Sequence, residues 1–92
     1  MPDYYRAAAN EPLDNVVLAK ISELPEGWRC VVSWLLPQPG LRTFNPTRSD
    51  PDAPGQALPY AQFLLDHLDA DRVVVDLDDG VEWNPAWGTL LG

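Results

Sequence analysis

The chain's one histidine, His67, sits directly after Asp66 and four positions before Asp71. A histidine among carboxylates can be held as a cation or act as a general base, and a helix C-terminus favours the cation. Such a pattern would suit a small His/Asp hydrolase or lyase. The companion parts are missing, since no glycine-rich phosphate loop and no His-x-x-x-His pair occurs. Cys30 is the single cysteine, so it forms neither an internal disulfide nor a multi-cysteine zinc site, and no histidine is near it in sequence to activate it. It reads as a small buried hydrophobe. No residue is assigned a catalytic role, and the sequence favours a non-enzymatic protein without a cofactor.

The run Asp76-Leu77-Asp78-Asp79-Gly80 invites comparison with a calcium loop. An EF-hand needs oxygen ligands at alternate positions, a glycine at the sixth, a bidentate glutamate at the twelfth and helical flanks. Here the spacing differs and the flanks read as strands, so no metal site is expected.

Between Asp66 and Glu82 there are seven acids and one base, Arg72, which concentrates −6 of the formal −8 charge in one stretch. A field of one sign steers a partner of the opposite sign and disfavours like-charged competitors. On this reading Asp76, Asp78, Asp79 and Glu82 form a face that meets a basic macromolecule, as in inhibitor- or immunity-type proteins. The competing reading is a solvated edge that keeps a small protein soluble.

Four tryptophans, Trp28, Trp34, Trp83 and Trp87, are many for 92 residues. Large rings with one polar edge are enriched at interfaces. Trp83, Trp87, Leu90 and Leu91 are the expected subunit contact of a homodimer, the tail burying in a second copy what a short chain cannot bury alone. An alternative is a small-molecule pocket near Trp34, Phe44 and Tyr60, closed by the proline-rich segment that follows Phe44.

The elements that position these groups come from pattern. The composition is that of one globular domain, 46% hydrophobic and 22% charged, spanning residues 1–92. An acidic chain with a pI near 4.2 is a poor ligand for phosphate backbones. No apolar run approaches the roughly 20 residues of a membrane span, and Met1-Pro2-Asp3 lacks the basic start of a secretory signal, so a cytoplasmic location is expected.

Residues 1–10 form an N-terminal arm that either adds a helical turn or drapes over the domain. From Glu11 to Leu24, the spacing of Leu13, Val16, Val17, Ile21 and Leu24 predicts a helix capped by Asn10, against a competing strand over Val16 to Ile21. Trp28 to Leu36 alternates as a central strand, and Leu41 to Asn45 returns antiparallel to it. Residues 45–57 read as an exposed proline-rich loop, followed by a helix over Pro59 to Asp69 with Tyr60, Phe63, Leu64 and Leu68 on one face. A closing hairpin turns at Asp78-Asp79-Gly80, with Val73, Val75, Leu77, Val81 and Trp83 inward and Asp76 facing Glu82 outward. Residues 85–92 are an apolar tail. The sum is an α+β, two-layer fold: an antiparallel sheet of about four to five strands with one or two helices packed on one face.

Overall fold

The computed structural model describes residues 3–7, 15–35, 38–49 and 52–91. They form a small α+β fold in which one helix packs on a mixed six-stranded sheet. The strands are β1 (Asp3–Arg6), β2 (Val16–Leu24), β3 (Gly27–Trp34), β4 (Gly40–Phe44), β5 (Arg72–Leu77) and β6 (Thr89–Leu91), in spatial order β4-β3-β2-β5-β1-β6. β2, β3 and β4 make an antiparallel meander, whereas β5 runs parallel to both β2 and β1, and β6 runs parallel to β1. The sheet is therefore mixed and larger than the antiparallel one expected.

Of the two readings of this segment, the helix over 11–24 gives way to the competing strand, which spans Val16–Leu24; residues 11–14 lie outside the described residues. The helical spacing was coincidental. Val17, Ala19 and Ile21 point to one face and are fully buried, while Leu18, Lys20 and Ser22 alternate onto the other. β-branched Val16, Val17 and Ile21 suit this central position between β3 and β5. The Trp28 to Leu36 strand is present as β3 as far as Trp34, Leu36 lying outside the described residues, and its partner over Leu41 to Asn45 is present as β4 as far as Phe44, with Cys30 opposite Phe44 and Trp34 opposite Gly40.

The closing hairpin does not form. Both edges of β5 are taken by β2 and β1, leaving no ladder for a returning strand. Instead Val81 N–H turns back to the Asp78 carbonyl at 3.0 Å, and the chain crosses to a short 3-10 helix, Pro85–Trp87. Val73, Val74 and Val75 are all fully buried, the continuous apolar pattern of a parallel strand flanked on both sides. In the N-terminal arm Asp3–Arg6 form strand β1, inserted between β5 and β6, residues 1–2 and 8–10 lying outside the described residues, and the tail supplies β6.

Helix α1 spans Ala53–His67, beginning six residues before the expected start and shortening the proline-rich loop. Asp52 is the N-cap and Pro54 lies in the first turn, where a missing N–H leaves nothing unpaired. The buried face is Ala53, Pro54, Ala57, Leu58, Ala61 and Leu64, and Phe63 points outward at 60% exposure. Alanines let the helix lie close on the sheet, so the seam runs along them; of the expected face Leu64 is buried and Tyr60 and Leu68 pack against the core, while Phe63 is turned away. The core joins this seam to Val17, Ala19, Ile21, Cys30, Val32, Val73, Val75, Tyr4 and Trp87. The sheet face opposite α1 bears Tyr5, Leu18, Val31, Leu41 and Leu91, with Val74 fully buried between Tyr5 and Leu18.

Candidate functional site

A groove of about 380 Å³ lies at the end of the sheet where β2 turns into β3. Its sheet-side wall is a register pair, Glu23 on β2 and Trp28 on β3. Its other wall is the sequence pair Glu82 and Trp83, carried on the segment that leaves β5. Asp78 N–H extends the β5 ladder to the Ile21 carbonyl at 3.1 Å, which brings the Asp78-Asp79-Gly80 turn to the same end as Glu23. Gly80, at φ +82°, has open space where a side chain would stand and leaves the groove clear.

Trp87 ties the two walls together beneath the groove. Its ring meets Trp28 edge-to-face at 5.9 Å and Trp83 edge-to-face at 5.2 Å, the offset geometry that aromatic quadrupoles favour. Its indole N–H donates to Asp52 Oδ1 at 3.2 Å. Trp83 rests on Tyr4 at 5.4 Å and donates its own N–H to the Gly88 carbonyl at 3.0 Å. The Asn84 side chain accepts the Ala86 N–H at 2.9 Å, starting the 3-10 turn that carries Trp87 inward. The walls are thus pinned before any ligand arrives.

The expected acidic residues separate. Glu82 lines the groove and Asp78 and Asp79 are exposed in the turn before it, but Asp76 lies on the face opposite α1 with Lys20 as its register neighbour on β2. The expected outward Asp76–Glu82 pair goes with the hairpin that would have placed it, since β2 and β1 occupy both edges of β5. Glu23 and Trp28 complete the groove, and sequence reasoning missed Glu23 because a helix over 11–24 took it away from Trp28. Of the expected subunit contact, Trp87 is buried within its own chain and Leu90 packs against the core, while Trp83 is half-buried and Leu91 is 38% exposed. An exposed tryptophan tail is therefore corrected to an internal one: the 3-10 turn carries the indole under the groove.

Phe44 and Tyr60 do meet, at 5.6 Å, but the Arg42 guanidinium lies 4.8 Å from each ring. Trp34 sits four residues along β3 from Phe44's partner Cys30, where its indole covers Gly40 and lines an apolar hollow of about 140 Å³ with Val16, Leu18 and Leu35. The three residues of the alternative pocket thus fall at two places. His67 is exposed and stacks on Phe63 at 5.6 Å and 10°, lining neither concavity. The Asp71 carboxylate accepts from the Asn15 side chain at 3.4 Å.

Cys30 is fully buried, and desolvation pushes its thiol up to about 12, far from a nucleophilic thiolate. Among the described residues no group of three or more His, Cys, Asp or Glu side chains is placed to hold a metal, and no charged side chain is buried. Among the described residues no helix is long and apolar enough to cross a membrane. Comparison with protein-family models, with curated proteins and with solved structures gives no match for this chain.

Proposed function

We propose that the protein is a non-enzymatic interaction domain that receives a basic partner at the acidic end of its sheet. The observation that supports this reading is a groove walled by indoles and lined by Glu23 and Glu82, with Asp78 and Asp79 exposed in the turn that leads to it. Carboxylates alone would be an ordinary solvated surface. Set beside aromatic surface that is held rigid, they can combine long-range steering with short-range apolar contact. The test is calorimetry with a lysine- and arginine-rich peptide. Affinity should fall as salt rises and be lost in the triple reversal Asp78→Lys, Asp79→Lys, Glu82→Lys. Equal binding by the reversed protein would contradict the proposal.

Self-association belongs to the same proposal but moves from the tail to the β4 edge of the sheet face opposite α1. That face carries Leu41 at 66% exposure beside the hollow lined by Leu18 and Ser33, a projection and a recess that a two-fold mate would exchange. The adjacent Lys20 and Asp76 offer the same mate both signs of charge. Light scattering after size exclusion should show a dimer that Leu41→Lys returns to monomer; a wild-type monomer at high concentration would remove this part.

A further inference from the structure

We infer that the groove between the two Glu–Trp pairs is a receptor for one arginine side chain of that partner, an inference that rests on the interaction reading above. Glu23 neighbours Trp28 across the β2–β3 ladder, and Glu82 adjoins Trp83 in sequence, so each wall offers one carboxylate and one indole to the same space. A guanidinium is the cation that uses both. It is planar and weakly hydrated, stacks on aromatic rings, and forks two N–H donors onto a carboxylate. A lysine ammonium is a compact, strongly hydrated charge, and in an open groove it gains little from the indoles. A metal ion gains nothing from them, because an indole ring offers no lone pair for coordination.

Preorganisation supports the choice. The Trp83 N–H is committed to the Gly88 carbonyl, so its apolar surface is what it has left to present. Trp28 and Trp83 are both braced edge-on by Trp87, which limits the side-chain freedom that binding would cost. The chain stacks one of its own arginines in this manner, with Arg42 held 4.8 Å from the rings of Phe44 and of Tyr60.

The test uses three capped nonapeptides, identical and lysine-flanked except for a central arginine, lysine or citrulline, the last being the neutral isostere of arginine. Binding to the full chain is measured by calorimetry, with indole N–H resonances followed in parallel. The arginine peptide should bind about fivefold or more tighter than the lysine peptide, with citrulline weakest, and should shift the Trp28 resonance. Glu23 and Glu82 are exposed, so Glu23→Gln and Glu82→Gln leave the core untouched, and each should narrow the arginine preference. Equal affinity for arginine and lysine peptides would overturn the arginine receptor while leaving the basic-partner reading standing. Binding by none of the three would overturn both.

Discussion

Asp52 accepts the indole N–H of Trp87 on the same Oδ1 that receives the Gly55 backbone N–H at the start of α1. One carboxylate therefore caps the helix and fixes the ring beneath the groove. Asp52→Ala should cost about 1–2 kcal/mol through the lost cap alone, and about 1 kcal/mol more by leaving the indole N–H unmatched. In a double-mutant cycle with Trp87→Phe, urea denaturation should show coupling of at least about 0.5 kcal/mol. Strict additivity would mean that cap and indole act separately.

Gly40 is where β4 yields to its neighbour's side chain. A β-carbon there would lie 2.5 Å from Cζ2 of Trp34, which rests across the glycine. Gly40→Ala should destabilise by about 1–3 kcal/mol, and the penalty should shrink in a Trp34→Leu background, where the ring is gone. A penalty unchanged by removal of the indole would point to backbone conformation as the cause.

The thiol of Cys30 should be silent to Ellman's reagent in the native protein at pH 8 and react fully in denaturant. Fast native labelling would contradict its burial. The fold holds the neutral thiol, so between its ordinary value of 9.0 and the folded value of about 12 the unfolded chain has lost a proton that the folded chain keeps. This contribution is present in full below about pH 9 and is lost as pH rises toward 12, by up to about 1.4 kcal/mol per pH unit. Tyr4 acts in the same direction above its ordinary 10.0, because desolvation raises its pKa while a hydrogen bond with Gln62 works against the shift. Chemical denaturation at stepped alkaline pH measures both.

Leu58 and Phe63 test which side of α1 faces the sheet. Leu58 is 1% exposed and Phe63 60%. Leu58→Ala should cost about 2–5 kcal/mol, whereas Phe63→Ala, which removes only exposed stacking on Tyr60 and His67, should cost less than about 1 kcal/mol. The opposite ranking would restore the helical face expected from sequence.

Which parts of the fold were readable follows from what each signal depends on. β3 and β4 were legible because Trp28, Cys30, Val32 and Trp34 alternate and Pro39-Gly40 marks the turn, all local features. β2 was legible only as one of two alternatives, because apolar residues at 13, 16, 17, 21 and 24 satisfy a helical spacing as well as a strand's, and only the neighbours β3 and β5 decide between them. Parallel pairing left no local mark either. Val73, Val74 and Val75 show that β5 is buried on both faces, but which strands flank it depends on β1 and β2, far away in sequence. In the site, Glu82 and Trp83 were visible from charge and ring content. Glu23 and Trp28 became a wall only once the β2–β3 register was known.

The central claim is that a basic ligand settles at the end of the sheet that carries Glu23, Trp28, Asp78, Asp79, Glu82 and Trp83. Its most direct test is backbone amide shift mapping of the full chain during titration with a lysine- and arginine-rich peptide at low salt. Saturable shifts confined to residues 23–28 and 78–85, abolished at high salt, are the predicted result. Shifts centred on α1 or on the sheet face opposite it, or no shifts at all, would contradict it.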